Sequence, residues 1–532
     1  MYTMMVSTAL FAAAARQPHL VVILTDDQDL KLGSMQAMPK LQKLVVDKGV
    51  TFEQAFIATP ICCPSRSSYI SGRFQHNHRC LQNKVSDGCN SAEWRNTTEK
   101  DSVAPHVQAQ GYTTFYAGKY LNAYGQPQAG GLAHVPPGWD SWLGLQGNSR
   151  YYNYSVSRNG TQEKHGDDYG ADYFTDLVKN ETLRFLRDNL GSGKPLFSWS
   201  SPPACHGPND PAPQYAGRFA NESAPRTPNF NTGVDGKNPF NSALYHPPMS
   251  ESGGVAYADI THRRRLEVLL SVDDLVEAVV NELDAAGELE NTILLYTSDH
   301  GYHLGQFAMS YDKRTPYEHD VRIPYFVRVG KNLQQGGAAA ARLRGSSSST
   351  VVSNVDVAPT MIALASGSEA QVPATMDGAS WAGDLGLAAH PPSRASPPAA
   401  AKDTQLIEYW GQANNDPSHS PGEFHTPPQF QGSAFSTWQD QTRNTFACLR
   451  MVPDSAGVQG DELYCQWFEQ YADKVTGNFS FEEHYDIASD PWQLTNTAAS
   501  LDPQVRAALR ARLTKLRNCV GGADCADAAT AA

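Results

Sequence analysis

The stretch "TPICCPSRSSYISGR", Thr59 to Arg73, sets two adjacent cysteines before a proline, a serine and an arginine. Thiols placed this way can serve as disulfide halves, metal ligands, small buried hydrophobes or a nucleophile. A tyrosine-phosphatase loop needs a longer interval than the one separating Cys62 or Cys63 from Arg66, so that chemistry is excluded. A zinc site recruiting Cys62, Cys63, Cys80 and Cys89 would have adjacent ligands and then a long gap, which is not structural zinc spacing. Other reactive side chains recur at one kind of position. Asp26 and Asp27 follow "HLVVILT", Lys119 follows "GYTTFYAG", His206 follows "KPLFSWSSPPAC", and Asp299 with His300 follows "NTILLYTS". Alone, Asp26–Asp27 reads as an exposed turn and a lysine as a solvated one. Recurrence just past apolar, β-rich runs is what makes them a candidate site.

The elements that must position these residues alternate between strands and helices from His19 to about Leu364. The continuous apolar runs quoted above read as buried strands. "MPKLQKLVVDKG" has helical spacing and ends at Gly49, and "RRRLEVLLSVDDLVEAVVNELDAAGEL" is the strongest amphipathic helix, with Gly287 near its end. "VVSNVDVAPTMIALA" reads as a strand end leading into a helix. This alternation predicts an α/β fold with a mixed, largely parallel sheet flanked by helices, and ligands then gather beyond the carboxyl ends of the strands. Pro64 and Ser65 suit a helix start, where free N–H groups favour an anion. "GGAAAARLRGSSSST" reads as an exposed loop.

The motif Cys62-x-Pro-Ser-Arg66, followed by "ISGR", resembles the signature of the type I sulfatases of the alkaline-phosphatase superfamily. The resemblance covers nearly the whole chain. "AGKYLNAYGQPQAGGLAHVPPGW", "YYNYSVSRNG" and "YTSDHGYHLGQFAMSYDKRTPYEHDVRIP" look most like its N-acetylglucosamine-6-sulfatase branch. It implies an alkaline-phosphatase-like fold and hydrolysis of sulfate monoesters through a sulfoenzyme intermediate. The nucleophile would be hydrated formylglycine, made from Cys62 by a formylglycine-generating enzyme. The implied substrate is the 6-O-sulfate of N-acetylglucosamine in glycosaminoglycan-like polysaccharides. A broad arylsulfatase that scavenges sulfate and a non-catalytic carbohydrate-binding homologue are the alternatives, and the completeness of the residue set argues against the latter. A phosphoester hydrolase of the superfamily would carry Ser or Thr as nucleophile, often beside two zinc ions.

By the same resemblance Asp26, Asp27, Asp299, His300 and the modified Cys62 bind a divalent ion. Carboxylates plus a hydroxyl suit Ca²⁺, with Mg²⁺ as the alternative. The family commonly has asparagine where His300 stands. Lys119 and Lys313 match lysines that hold sulfate oxygens, Arg66 holds the modified residue, and His206 matches the histidine that protonates the leaving alcohol. Arylsulfatase-like relatives carry a histidine base where Leu121 stands, which leaves the base open among His303, His76 and His78. The aromatic stretches "YYNYSVS" and "EHYDIASDPWQLTN" are candidates to line a sugar cleft, the second with a structural alternative.

The 532 residues suffice for a large core and a smaller unit. The expected division is a signal segment over 1–17, a catalytic domain over 18–385, a Pro/Ala/Ser-rich linker over 386–404 and an α+β subdomain over 405–532. A net charge of −13 argues against a nucleic-acid partner. The apolar run Val6–Ala15 is too short to span a bilayer. Asn96, Asn153, Asn159, Asn180, Asn221 and Asn478 head glycosylation tripeptides, and the close pairs Cys80/Cys89, Cys448/Cys465 and Cys519/Cys525 read as disulfide loops. Cys205 could be a structural thiol or a partner for Cys63. Both signs point to the secretory pathway, ending outside the cell, in the wall, or in a lysosome or vacuole. The expected partners are a sulfated saccharide, the formylglycine-generating enzyme and, as an option, a second copy in a homodimer. Nine cysteines leave at least one unpaired, which suits a Cys62 that does not stay a thiol.

Overall fold

The computed structural model describes residues 16–233, 236–238, 248–334, 343–387, 402–411, 442–453 and 460–530. Strands β1 (His19–Thr25), β2 (Val50–Phe56), β3 (Thr113–Gly118), β4 (Ser141–Leu145), β5 (Ser155–Arg158), β6 (Thr161–Lys164), β7 (Leu196–Ser201), β8 (Thr292–Ser298), β9 (Tyr325–Val329) and β10 (Ser346–Ser353) form one sheet. Its order is β10-β2-β9-β8-β1-β7-β3-β4-β5-β6. The centre, β8-β1-β7-β3-β4, is parallel, while β9 and the β5–β6 hairpin run antiparallel to their neighbours. The mixed α/β sheet expected from the sequence is therefore present, with its parallel part at the core.

Helices cover both faces because β1 is apolar on both. Val21 and Ile23 join the core under α1 (Pro39–Leu44), α4 (Phe174–Asn189) and α5 (Ala256–Ala285). Leu20, Val22 and Leu24 join the core under α2 (Cys62–Ser71), α3 (Val103–Ala109) and α6 (Val357–Ser366). A strand buried on both faces has no polar alternation, and that is how β1 and β8 read in sequence.

A second, antiparallel sheet runs in sequence order, β11 (Thr404–Tyr409), β12 (Thr445–Met451), β13 (Glu462–Phe468) and β14 (Phe481–Asp486). Ile407, Phe446 and Trp467 extend the main core, whereas Leu406 and Leu449 pack with Leu509 and Leu513 of α7 (Pro503–Leu516). Asp502 caps α7 by accepting from the Gln504 and Val505 amides, and α8 (Gly522–Thr530) is stapled beside it by Cys519–Cys525. Residues 388–401 of the expected linker and 1–15 of the expected signal segment lie outside the described residues.

Three expectations change. Cys89 pairs with Cys63 rather than with Cys80, because the start of α2 brings Cys63 to it; Cys205 is a buried thiol and not the partner of Cys63, and Cys80 is a buried thiol 3.4 Å from the Cys63 sulfur. Cys448–Cys465 and Cys519–Cys525 form as read. The serine-rich end of the expected loop, 346–350, belongs instead to edge strand β10, which among the described residues pairs only with β2 and is exposed at alternate serines over its first half; residues 336–342 of that stretch lie outside the described residues. The "MPKLQKLVVDKG" helix stops at Leu44 and tightens into a 3₁₀ turn over Val46–Lys48 before Gly49. Among the described residues no helix is long and apolar enough to cross a membrane.

Candidate active site

The strands β8, β1, β7 and β3 lie side by side and parallel, so the residues that follow them emerge along one edge. That edge receives Asp299–His300, Asp26–Asp27, His206 and Lys119, in the order of the strands. Their placement depends on close backbone packing. Gly118 has φ 123°, and a Cβ there would lie 1.9 Å from the Ser201 carbonyl oxygen, so only glycine lets β3 deliver Lys119 beside β7. Asp27 is left-handed (φ 63°), held by donation of its amide to Asp299 Oδ1 at 3.0 Å.

Helix α2 starts at Cys62 and is buried along its whole length. Tyr69 donates to the Ser298 carbonyl at 2.8 Å, Ser65 donates to the Asp299 carbonyl, and Asn354 donates to Ser65 Oγ at 3.0 Å. The helix is thus pinned to the end of β8. One turn in, Arg66 donates from Nε to Asp299 Oδ2 and from Nη1 to the Lys119 carbonyl, each at 2.8 Å.

The two lysines are committed to different aspartates. Lys119 Nζ lies 2.6 Å from Asp26 Oδ2, and Lys313 Nζ lies 2.9 Å from Asp27 Oδ1. Lys313 sits on a loop clamped by the His303–Asp312 bridge and by Asp320, which accepts from Thr315 and faces the His303 ring at 3.1 Å. Arg265 of α5 grips the Asp27 carbonyl and Asp29 Oδ1 and lies over the Tyr302 ring.

Both site histidines present one defined ring atom. A carbonyl can only accept, so His300 Nδ1 donates to Gly301 and His206 Nδ1 to Gly207. His300 Nε2 then lies 3.5 Å from Asp27 Oδ1 and from Asp299 Oδ1, and 3.4 Å from Cys62 Sγ. Donor atoms of Asp26, Cys62, Asp299 and His300 fall within 4.8 Å of one another, as do those of Asp27, Cys62 and His206. Cys62 Sγ marks where the hydroxyl oxygens of a hydrated aldehyde would stand.

Burial raises all three carboxyl groups, and neighbours then separate them. Lys119 and Arg66 hold Asp26 well below the carboxylate range, and Lys313 brings Asp27 to about 2. Asp299 is pushed up to about 7 by burial and by Asp26. Burial opposes ionisation of the Cys62 thiol, but Lys119 and Lys313 outweigh it and hold the thiol well below its usual range. Asp26 Oδ1 and Arg66 Nη2 are buried without a hydrogen-bond partner and face each other at 3.6 Å. An orphaned carboxylate oxygen among three crowded carboxylates, beside an imidazole Nε2, fits a divalent cation. Three carboxylates against Arg66, Lys119 and Lys313 make a balanced set, and a divalent ion would leave it net positive for an anionic ester.

Sequence reasoning missed Ser149, in the loop after β4, whose hydroxyl donates to Asp26 Oδ2. A lone serine in "GNSR" carries no signal; the sheet alone brings it in. Two of the proposed bases are engaged elsewhere. His76 faces Glu408 at 2.8 Å and the Cys519 carbonyl at 2.9 Å, and His78 bonds Ser68 and the Cys80 amide. Asp320 anchors His303. The histidines that reach Cys62 are His206 and His300.

A cavity of about 790 Å³ opens at His206, with residues 146–155 of the "YYNYS" region along its wall. The "EHYDIASDPWQLTN" segment instead forms β14 and a turn whose Trp492 and Gln493 carbonyls accept from Asn229 and Lys237. All six glycosylation asparagines are exposed, with Asn153 at the cavity rim.

A sulfatase family model matches residues 18–368. The N-acetylglucosamine-6-sulfatase of Homo sapiens is 37% identical over 96% of this chain and 86% of its own length. An arylsulfatase of Chlamydomonas reinhardtii is 29% identical over 97% of this chain and 77% of its own. A solved structure in complex with its substrate D-glucosamine-2-N,6-O-disulfate superposes with a TM-score of 0.66 at 19% identity, covering 94% of this chain and 97% of that one.

Proposed function

The chain belongs to the sulfatase family and hydrolyses sulfate esters, and from that premise we propose that its substrate is the 6-O-sulfate of N-acetylglucosamine in glycosaminoglycan-like polysaccharides. The family depends on formylglycine and a divalent metal ion. We assign the modification to Cys62 and the ion to Asp26, Asp27, Asp299, His300 and the modified residue, with Ca²⁺ favoured by the oxygen-rich set. The observation that carries the assignment is the gathering of Cys62, Asp26, Asp299 and His300 within 4.8 Å, with His206 linking Cys62 to a saccharide-sized cavity.

Bound there, the ion would supply Lewis-acid charge, and the hydrated aldehyde a nucleophilic hydroxyl with a second hydroxyl for expelling sulfate. The chain's own residues supply the rest. Lys119 and Lys313, buried and fixed on Asp26 and Asp27, neutralise charge on the sulfuryl oxygens. Arg66 holds residue 62 and Asp299 in register. His206, its Nδ1 proton committed to Gly207, offers Nε2 to the bridging oxygen and delivers the proton that the leaving alcohol needs. Burial lowers the His206 pKa, but Asp27 and Asp26 outweigh it and raise it, which suits an acid. Three disulfides and six glycosylation tripeptides with exposed asparagines support passage through the secretory pathway.

The test pairs mass spectrometry of the Cys62 peptide from secreted protein with turnover of N-acetylglucosamine 6-sulfate against an aryl sulfate. An aldehyde at position 62 and turnover of the sugar ester are expected. An unmodified thiol in active enzyme sinks the mechanism, and cleavage of the aryl ester alone replaces the sugar assignment with a broad arylsulfatase.

A further inference from the structure

The cavity beside His206 holds more charge than a single ester needs. Its wall carries two exposed cations, Arg150 and Lys164, against one carboxylate, Asp210. The nearby His165 is taken up by Asp172 at 3.1 Å. Among the described residues neither Arg150 nor Lys164 has an acidic partner, in a chain with a net charge of −13 where acids are plentiful.

Both cations stand on fixed backbone. Arg150 lies between Ser149, whose hydroxyl donates to Asp26, and Tyr151, whose hydroxyl donates to the His206 carbonyl at 2.9 Å. The residues on either side are therefore tied to the reacting centre, and Arg150 is exposed in the cavity that His206 also lines. Lys164 ends β6 and pairs with Ser155 across the hairpin, while the adjoining His165 amide donates to the Tyr154 carbonyl at 2.9 Å. This places it on the same wall as Arg150, on a ladder rather than a free loop. Arg66, Lys119 and Lys313 are already committed within the buried centre, so the rim pair is free for a different anion.

We propose that Arg150 and Lys164 form a second anion-binding position on the cavity wall, which holds an anionic group of the saccharide other than the sulfate being removed. This rests on the glucosamine 6-sulfate reading above. The shared chemistry is an oxyanion within one sugar unit of the scissile ester, and two sources fit it: a 2-N-sulfate on the same sugar, or the carboxylate of an adjoining uronate. A guanidinium and an ammonium lining the same cavity as such a group give selectivity by contact and raise encounter rates, and both effects weaken as salt rises.

The experiment measures kcat/KM of the full-length secreted enzyme and its Arg150→Gln/Lys164→Gln double variant on four esters. These are N-acetylglucosamine 6-sulfate, glucosamine 2-N,6-O-disulfate, N-acetylglucosamine 6-sulfate linked to glucuronate, and 4-methylumbelliferyl sulfate. The readout is each rate constant relative to that for N-acetylglucosamine 6-sulfate. The double variant should lower the ratio for one of the doubly charged sugars about tenfold, through KM and more at low than at high ionic strength. A fall for the disulfate identifies the 2-N-sulfate as the bound group, and a fall for the disaccharide identifies the uronate. Ratios that stay within twofold for both sugars overturn the proposal, as does a fall that salt does not touch. A wild-type enzyme that cleaves the aryl ester and none of the sugars overturns the glucosamine reading together with the anion position. Unmoved ratios in an enzyme that does cleave sugars overturn the anion position alone.

Discussion

Two buried carboxylates, Asp299 at the strand ends and Glu408 where β11 meets the catalytic unit, are equally cut off from water and behave in opposite ways. Glu408 accepts from the His76 amide at 3.0 Å and from Lys474 at 3.1 Å, and its Oε1 lies 2.8 Å from His76 Nδ1. Burial opposes its ionisation, yet Lys474 and His76 hold it far below the usual range. Asp299 has Arg66 but also Asp26, and burial together with that like charge pushes it up to about 7. One cluster is saturated, while the other keeps an orphaned carboxylate oxygen opposite an orphaned guanidinium nitrogen. The lesson is that satisfied buried charge marks a joint in the fold, and unsatisfied buried charge marks a place awaiting something else.

The comparison breaks most sharply at Cys62. Cys62→Ala should cut sulfate release by at least about 10⁴-fold. Its thermal midpoint should stay within about 2 °C of wild type, since a small side chain at a helix start is being shortened, not removed from the core. Next comes Asp299→Asn, which should cost about 10³-fold in turnover and lower bound metal in elemental analysis. In metal-free buffer its stability should lie within about 1 kcal/mol of wild type, because it relieves crowding while loosening Arg66. Glu408→Gln should do the reverse. It strands Lys474 and His76 and should destabilise by about 3 kcal/mol in denaturant titration, with kcat/KM of the folded enzyme on an aryl sulfate held within about twofold. If Asp299→Asn proved the more destabilising of the two, the distinction between the clusters would fail.

How much of this is legible in the sequence depends on whether neighbours in space are also marked there. Asp26, Lys119, His206 and Asp299 are, because each ends a continuous apolar strand and parallel strands must deliver their ends to one edge. Ser149 is not, since nothing in "GNSR" distinguishes a hydroxyl that meets Asp26 from one in solvent. Neither is the Cys63–Cys89 bond: Cys80 is nearer in sequence and its thiol lies 3.4 Å from the Cys63 sulfur, so spacing cannot decide among the three. The β10 strand hides because the first half of this edge strand faces solvent at alternate serines, so no apolar run marks it. His76, a candidate base by its closeness to the cysteine motif, misleads for a related reason. Chain proximity carries it past the site and into the joint with the second sheet.

The smallest effect is the most specific, because it asks whether His76 is ionised in that joint. Burial lowers the His76 pKa, but Glu408 outweighs it and raises it above the usual value. A raised folded-state pKa contributes stability that is fully present below the unfolded value near 6.5 and is lost as pH climbs through the folded value. Glu408, with a depressed pKa, contributes above about 4.5 and so stays ionised across that window. Lys474, which burial lowers to about 8, loses its proton in the upper part of the range between pH 5.5 and pH 9. His76→Asn should therefore destabilise by about 1–2 kcal/mol at pH 5.5 and by clearly less at pH 9, read from urea titrations of both proteins. A cost that is the same at both pH values would mean that the imidazole is neutral throughout and contributes only its hydrogen bonds to Glu408 and the Cys519 carbonyl.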